Sequence, residues 1–304
     1  MGSPQYAEII LRELYERFGV VGVITQPDKR VGRGGSIQPP PVKKIAIKMG
    51  IPILQPTKLA TEDVNNILSE WDPDVIIVAA YGKILQSKIL EYPRFGCVNV
   101  HASYLPRWRG ASPIQAAILN GDQTTGVTII KMDEGIDTGD IIKQKEVEVS
   151  KLETAGSLTE KLAVIGAKIL VDILPRYIKG EIILEKQLSN NVTYAGMIKK
   201  QDGLLDFQGR AEELERRIRA YDPWPICYFN WNGKNMKVYS VRVLKSHHLK
   251  PAQRGIIEKY PCIGTKTYDL QLRKIQMPGK QKIDGNEFLN GARGWAEKNG
   301  ERIK

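Results

Sequence analysis

Residues 75–80, with the sequence VIIVAA, limit the possible folds of this chain more than any other feature. Six apolar residues follow one another without polar alternation, which is typical of a strand buried on both faces of a sheet. Residues 63–71 before this run have apolar side chains at helical spacing, and short apolar strands alternate with helices as far as residue 180. The pattern predicts an α/β fold with a Rossmann-like, doubly wound, mostly parallel sheet.

The pattern changes after residue 180. A polar connection comes first, and short β-like runs separated by glycine, proline and asparagine then follow in residues 227–230, 237–244, 255–258 and 268–275. Such runs are typical of a small antiparallel barrel, and an OB-like barrel is common in RNA-binding proteins. We therefore predict a first domain of residues 1–180, a linker of residues 181–200 and an OB-like β-barrel domain of residues 201–304.

Positive charge is concentrated in the last third of the chain. The net charge is +11, and residues 201–304 contain 20 Lys and Arg residues against 12 Asp and Glu residues. A basic domain favours a polyanionic partner such as RNA, although solubility alone also accounts for a surplus of this size.

The sequence has no marks of secretion or of membrane insertion. No apolar run approaches the ~20 residues that a membrane span needs, and residues 1–12 lack a basic stretch followed by an apolar one. Cys97, Cys227 and Cys262 are scattered singly, which fits neither a disulfide framework nor a zinc site. We expect a cytoplasmic protein that does not associate with membranes.

Two polar side chains interrupt the apolar pattern of the strand at residues 97–101. Asn99 and His101 point to the same face, because side chains alternate along a strand. They lie at its C-terminal end, where open α/β sheets bind ligands. An amide donor beside an imidazole can stabilise an oxyanion and move a proton in acyl transfer. The alternative is a histidine whose hydrogen bonds are satisfied within a capped loop.

Residues 132–140, MDEGIDTGD, form an acidic, glycine-rich turn after the next buried strand. Such a turn can place one carboxylate beside a histidine of a neighbouring strand, where it would orient the ring. A hard-ion site built from Asp133, Asp137 and Asp140 is a second interpretation, and a plain acidic turn is a third. The spacing of the three aspartates does not match a calcium loop, so we expect no metal.

Residues 99–110, NVHASYLPRWRG, closely resemble the N-x-H-x-S-x-L-P-x-x-x-G core of formyltransferases that use 10-formyltetrahydrofolate, and residues 133–139 resemble the second block of that family. The resemblance implies that 10-formyltetrahydrofolate is the co-substrate and that Asn99, His101 and Asp137 form the catalytic triad. It further implies folate contacts along the loop that contains Ser103, Tyr104, Leu105 and Pro106. Residues 81–85 resemble the loop that lines the pterin pocket, which adds Tyr81, Gly82 and Leu85.

Three further segments are similar to methionyl-tRNA formyltransferases in particular, namely residues 25–34, 107–115 and 218–225. The likeness runs from about Gly2 to the C-terminal end and implies initiator methionyl-tRNA as a partner. We expect the protein to be a monomer. In the first segment, Lys29, Arg30 and Arg33 lie on a glycine-rich loop and would contact RNA phosphates without reading bases.

Other functions stay open at this point. A formyltransferase of the same fold could act on an amino sugar nucleotide, but such a small acceptor needs neither a basic loop nor a basic second domain. A non-catalytic RNA-binding protein would not need the set of Asn99, His101 and Asp137. A folate hydrolase would use water in place of the amine.

The resemblance breaks down at the start of the chain. The family begins with a strand, and the segment similar to residues 2–7 follows it, so Met1 lies where that strand should end. We hypothesise that the chain as given lacks this strand, which would leave backbone groups of its neighbours unpaired.

Overall fold

The structure is a computed structural model that describes residues 1–31, 35–59 and 61–296. The chain divides into two compact units, which are considered separately. Unit 1 contains Met1–Pro113, Thr124–Glu148 and Ser157–Gly196, and unit 2 contains Ile114–Gln123, Val149–Gly156 and the chain from Met197 onward. Unit 1 therefore includes most of the segment that the sequence predicted as a linker.

The helices of the described residues carry apolar side chains on the face that they bury, and α3 is capped by Thr61, whose hydroxyl accepts the Val64 N–H at 3.4 Å. They are α1 (Gln5–Arg17), α2 (Pro41–Met49), α3 (Glu62–Trp71), α4 (Ser87–Leu90), α5 (Pro113–Asn120), α6 (Ala155–Ile178), α7 (Ala211–Ala220) and α8 (Gly285–Leu289). No helix in these parts of the chain has both the length and the apolar character needed to cross a membrane.

Of the strands up to residue 195, those at residues 97–101, 124–131 and 140–148 have five to nine residues, and the others have two or three. They are β1 (Val23–Ile24), β2 (Lys29–Val31), β3 (Ser36–Gln38), β4 (Ile53–Leu54), β5 (Ile76–Val78), β6 (Cys97–His101), β7 (Arg109–Gly110), β8 (Thr124–Lys131), β9 (Asp140–Glu148) and β10 (Tyr194–Ala195).

The sheet of unit 1 has a parallel part and an antiparallel part. β1 pairs with β4 and β5 pairs with β6 in parallel, whereas β8 runs antiparallel to both β6 and β9. The predicted α/β class is confirmed, but the sequence analysis did not anticipate the antiparallel half. Residues 132–139 between β8 and β9 are too few for the crossover of a dozen or more residues that parallel strands require.

The first two residues lie between β1 and β5. The Gly2 N–H donates to the Ile24 carbonyl at 3.1 Å, and the Ala79 N–H donates to the Met1 carbonyl at 2.9 Å. The Met1 amine donates to the Ile77 carbonyl at 2.5 Å. Met1 and Gly2 thereby connect the two parallel pairs, and an apolar cavity of about 340 Å³ adjoins Met1 between the residues that lead into β1 and β5.

α6 approaches the sheet closely at Gly166. A Cβ atom on this glycine would lie 2.8 Å from Val100 Cγ1 and 3.1 Å from Val127 Cγ1. The helix can therefore approach β6 and β8 only because residue 166 has no side chain. This contact fills one face of β6 with apolar packing and leaves Asn99 and His101 on the other.

The strands of unit 2 are β11 (Cys227–Trp231), β12 (Lys234–Leu244), β13 (Arg254–Ile257), β14 (Tyr260–Gly264), β15 (Asp269–Gln276) and β16 (Ile283–Asp284). They form a six-stranded antiparallel sheet in the order β11-β12-β15-β14-β13, and β16 pairs with β15 at Lys274 and Ile275. Its core includes an edge-to-face aromatic cluster in which the Phe288 ring lies 5.2 Å from Trp231 and 5.4 Å from Trp295. Closure of this sheet into an OB-like barrel stays a prediction.

Candidate active site

Asn99, His101 and Asp137 lie together at the C-terminal end of β6. Asn99 is 9% exposed and His101 is 6% exposed. The Asn99 amide nitrogen donates to Asp137 Oδ1 at 3.1 Å, and His101 Nδ1 is 3.5 Å from the same oxygen. The structure thus brings together the three side chains that the sequence proposed as a catalytic set, although they come from two separate segments.

The Asp137 carboxylate is also held by the backbone that follows β6. Its second oxygen, Oδ2, accepts the Gly110 N–H at 2.8 Å. Nearby, His101 Nε2 lies 3.0 Å from the Trp108 carbonyl oxygen, so this nitrogen donates there. Both ring nitrogens of His101 therefore face oxygen atoms, one of a carbonyl and one of a carboxylate.

The turn between β8 and β9 presents Asp137 in a conformation that few residues adopt. Asp137 has φ = 53°, which is in the left-handed region. Asp133 holds the turn from inside, since its Oδ1 accepts the Gly135 N–H at 3.0 Å and the Thr138 hydroxyl at 2.6 Å. The two carboxylates therefore have different roles. Asp133 stabilises the turn, whereas Asp137 faces β6.

The loop of residues 103–106 is held in place by hydrogen bonds to a threonine on β8. The Thr128 hydroxyl donates to the Ser103 carbonyl at 2.7 Å and accepts the Leu105 N–H at 3.0 Å. Gln144 adds a bond from its side-chain amide to the Leu105 carbonyl at 2.8 Å. Leu105 is 1% exposed, whereas Tyr104 is 43% exposed, so the ring of Tyr104 is the part of this loop that faces outward.

The second predicted folate segment follows β5, the parallel neighbour of β6. Tyr81 and Leu85 are buried, and Leu85 belongs to an apolar cluster with Val78 and Ile89. The Tyr81 hydroxyl has no hydrogen-bond partner within the described part of the chain, and burial raises the pKa of Tyr81 to about 12. Gly82 has φ = 74° and starts the loop. The loops after β5 and β6 leave the same edge of the sheet because these strands are parallel.

Two of the three predicted RNA-binding residues lie on a β-hairpin. Lys29 and Arg30 are exposed on β2, which pairs with β3, while Arg33 lies outside the described residues. The base of the hairpin is held by Asp28, whose carboxylate accepts Lys43 Nζ at 2.8 Å. The Lys43 ammonium holds the pKa of the Asp28 carboxyl below its usual range.

The described cysteines are not suited to nucleophilic attack. Cys97 starts β6, and its thiol donates to the Ile89 carbonyl at 3.4 Å inside the core. Burial raises the pKa of Cys97, Cys227 and Cys262 to about 12, so all three stay as thiols at neutral pH. Among the described residues, no three His, Cys, Asp or Glu side chains lie close enough together to hold a metal ion.

The sequence analysis missed the contribution of the connecting segment, which we define as residues 185–195. The Trp108 N–H donates to the Thr193 hydroxyl at 2.8 Å, and β7 pairs in parallel with β10. Gln187 bonds to Arg109 and to the Asp137 turn. A polar segment without periodicity has no sequence signal that predicts such contacts.

Comparison with known proteins places this chain in a family. A sequence profile described as "Formyl transferase" matches residues 2–174, and one described as "Formyl transferase, C-terminal domain" matches residues 197–293. A methionyl-tRNA formyltransferase of Myxococcus xanthus (strain DK1622) is 47% identical over 294 residues, which cover 96% of this chain and 93% of that protein. The chain belongs to the methionyl-tRNA formyltransferase family. Its counterpart in Bacillus subtilis (strain 168) is 42% identical over 298 residues, with the same coverage of both chains.

Solved structures with the same fold include formyltransferases that act on sugars. A sugar 3N-formyl transferase solved with dTDP and 5-N-formyl-THF has a TM-score of 0.65 at 21% identity, covering 92% of this chain and 97% of that one. An N-formyltransferase from Helicobacter canadensis, in complex with folinic acid and dTDP-3-aminofucose, has a TM-score of 0.65 at 19% identity, covering 91% and 97%. These likenesses establish the fold, whereas the methionyl-tRNA formyltransferase family is established by the sequence relatives.

Proposed function

We propose that this protein transfers the formyl group of 10-formyltetrahydrofolate to the amino group of methionyl-initiator tRNA in translation initiation. The observation that carries the proposal is the convergence of Asn99, His101 and Asp137 in a chain 39–47% identical to methionyl-tRNA formyltransferases. The proposed site of action is the cytoplasm, where the enzyme works as a monomer. The reduced, buried cysteines fit that compartment.

The methionyl amine attacks the formyl carbon, so that a new C–N bond forms and the bond from that carbon to the folate nitrogen breaks. Asn99 has two amide hydrogens, and one of them donates to Asp137. The second serves the developing oxyanion. His101 Nε2 contributes a further hydrogen bond, because a full negative charge is a stronger acceptor than the Trp108 carbonyl that it faces at rest.

Asp137 has two tasks in this mechanism. Its Oδ1 lies 3.5 Å from His101 Nδ1 and orients the ring. The same carboxylate receives, through water, the proton that the attacking amine loses, and the departing folate nitrogen takes up a proton in return. The buried Cys97 thiol is not needed, since the transfer has no covalent enzyme intermediate.

The folate binds where the loops after β5 and β6 leave the sheet. In the loop after β6, which also contains Pro106, Tyr104 has an exposed ring. In the loop after β5, Gly82 follows Tyr81 and has no side chain that would obstruct the approach of the folate. Ser103, Leu105 and Leu85 act mainly by fixing the two loops, because their side chains are bonded or packed within the protein.

The tRNA is held by the basic hairpin and by the basic C-terminal domain. Lys29 and Arg30 on β2, with Arg33 beyond it, contact the phosphate backbone. The domain of residues 201–304, with its 20 Lys and Arg residues against 12 acidic ones, supplies the remaining electrostatic attraction.

A formylation assay tests this function. The protein is mixed with 10-formyltetrahydrofolate and methionyl-initiator tRNA, and formyl-methionine on the tRNA is measured. Asn99→Ala and His101→Ala are each expected to lower turnover by roughly 100- to 1000-fold, as loss of one oxyanion donor does elsewhere. Asn65→Ala is the matched control, because this asparagine is exposed on α3.

Other products would overturn the proposal in defined ways. Free formate without formylated tRNA identifies a folate hydrolase. Formylation of a dTDP-linked amino sugar in place of the tRNA identifies a sugar-nucleotide enzyme. Turnover that survives Asn99→Ala and His101→Ala unchanged removes the catalytic assignment.

A further inference from the structure

The connecting segment runs along the candidate site and pairs with it through backbone groups. Glu185 and Ile141 exchange two N–H to carbonyl bonds, at 2.8 and 3.0 Å. Further along, the Arg109 N–H donates to the Thr193 carbonyl at 2.9 Å, and the Ala111 N–H donates to the Ala195 carbonyl at 2.9 Å. The segment therefore touches both β9, which follows the Asp137 turn, and the strand that contains Gly110.

Between these two contacts, both the nitrogen and the oxygen of the Gln187 side-chain amide form hydrogen bonds. Its Nε2 donates to the carbonyls of Asp137 and Gly139, each at 2.8 Å. Its Oε1 accepts from Arg109, from Nε at 3.1 Å and from Nη2 at 2.7 Å. Two donors and one acceptor are all that a glutamine amide offers, and here all of them are engaged.

The four bonds of Gln187 lie on both sides of the Asp137 carboxylate. On one side they hold the carbonyl of Asp137 itself. On the other side they hold Arg109, whose neighbour Gly110 donates its N–H to Asp137 Oδ2 at 2.8 Å. One amide thus ties the backbone that presents the carboxylate to the backbone that receives it.

Asp137 needs such support because its own backbone does not favour the observed conformation. A non-glycine residue at φ = 53° persists where surrounding bonds hold it. Arg109 is 8% exposed, and a guanidinium buried to this extent requires hydrogen-bond partners, which Gln187 provides. Lys186 and Leu188, which flank Gln187, are exposed.

We propose that Gln187 is a positioning residue that sets the place of the Asp137 carboxylate relative to Asn99 and His101. It acts through Asp137 and does not touch the substrates. The kinetic part of this proposal rests on the proposed function, whereas its structural part does not.

The kinetic test compares Gln187→Met with Leu188→Ala, an exposed neighbour on the same segment. Gln187→Met keeps the length of the side chain and removes all four bonds. We expect kcat to fall roughly 10- to 100-fold, as displacement of a catalytic group does, with KM for both substrates within about threefold of the parent. Leu188→Ala is expected to keep kcat within about twofold of the parent.

A double-mutant cycle separates positioning from a general structural effect. If Gln187 acts through Asp137, then Gln187→Met should cost less than about threefold in kcat when Asp137 is already changed to Asn. A full loss in that background means that Gln187 acts elsewhere, and turnover of Gln187→Met within about twofold of the parent means that it positions nothing.

Amide hydrogen exchange provides a readout that needs no activity. The Gly110 N–H is protected by Asp137 Oδ2, so Gln187→Met should speed its exchange at least about tenfold while Leu188→Ala leaves it unchanged. Unchanged exchange in Gln187→Met overturns the proposal. If the parent does not formylate tRNA but Gly110 exchange responds, the proposed function fails and the positioning role stands.

Discussion

Two buried threonines on β8 show how much depends on a single hydroxyl. Thr125 and Thr128 are 4% and 0% exposed. The Thr128 hydroxyl bonds to Ser103, Leu105 and Gln144, whereas the Thr125 hydroxyl has no partner among the described residues. The same residue type on one strand is therefore satisfied in one place and unsatisfied in the other.

This difference predicts opposite effects for the same substitution. Thr128→Val leaves the Ser103 carbonyl and the Leu105 N–H without their partner, and should lower the free energy of unfolding by about 1–3 kcal/mol. Thr125→Val removes a buried, unpaired hydroxyl and should be neutral or stabilising by about 1 kcal/mol. Urea unfolding of both variants measures the contrast. Equal losses of stability in the two variants would contradict the prediction, because the hydrogen bonds of Thr128 would then add nothing beyond the cost of the same substitution at Thr125.

At this scale the sequence predicted some contacts and could not predict others. Asn99 and His101 were expected on one face because a strand imposes that alternation, and they do meet there. Gln187 bonds to a carbonyl 50 positions away, and Thr128 to one 25 positions away. The two residues of each pair lie in different parts of the fold, so no helical or strand periodicity relates their positions in the sequence.

Among the helices, α6 illustrates a packing requirement that overrides helix propensity. On an exposed surface, Gly→Ala inside a helix gains roughly 1 kcal/mol. At residue 166 a Cβ would meet Val100 and Val127 at 2.8 and 3.1 Å, so we expect Gly166→Ala to destabilise unit 1 by about 1–3 kcal/mol. Val164→Ala, at an exposed site of the same helix, should stay within about 0.5 kcal/mol.

Thermal unfolding of Gly166→Ala and Val164→Ala tests these two predicted changes in stability. A Gly166→Ala variant as stable as the parent would show that α6 can move away from β6 without cost. In that case the close approach of helix and strand would not be what directs Asn99 and His101 to the opposite face.

The β2–β3 hairpin carries a prediction about salt. Lys29, Arg30 and Arg33 changed together to Ala should weaken tRNA binding and reduce the slope of log Kd against log salt, because fewer counterions are released from the RNA. KM for the folate should not change. Lys186→Ala, which removes an exposed cation with a partner at Asp140, is the control. An unchanged slope in the triple variant would argue against phosphate contacts on this hairpin.

The element types followed from periodicity, but the sheet was only partly predictable. The buried run of β5 indicated a mostly parallel sheet, and β5 does pair in parallel with β6. β8 has an equally buried run, and burial does not specify direction. The short connection between β8 and β9 requires these two strands to be antiparallel to each other, and the sequence analysis considered this turn only for its carboxylates.

For the whole molecule, in a chain that begins at Met1, the buried amine of this residue links stability to pH. Burial lowers the pKa of this amine from 8.0 to about 6, an effect that the nearby Cys97 partly opposes. Between these values the unfolded chain binds a proton that the folded chain does not, so stability rises with pH across this window. A chain with a free Met1 amine should be about 2 kcal/mol more stable at pH 8 than at pH 6 from this group.

Urea unfolding at pH 6 and pH 8 measures this difference, and the same chain acetylated at Met1 is the control. Acetylation removes the titrating amine and leaves the rest of the chain unchanged, so the contributions of other groups cancel in the comparison. A pH dependence that is identical with and without the acetyl group would show that the amine is not buried in solution.

The organisation into an α/β part and an antiparallel part was visible in the sequence as a change of pattern near residue 180. The path of the connecting segment was not visible in the sequence, because its contacts depend on where β7 and the Asp137 turn lie in the folded unit. Composition predicted a basic last third, and it could not distinguish a binding surface from general solubility.

The pairing of β7 with β10 also has a consequence for the order in which the protein is made. Thr193 follows Trp108 by 85 positions. At roughly 5 to 20 residues per second, a ribosome needs about 4 to 17 s to synthesise that interval. A nascent chain interrupted at residue 180 would carry Asn99, His101 and Asp137 but none of the backbone partners of Arg109 and Ala111. The candidate active site is therefore completed late, after most of its own unit has already been synthesised.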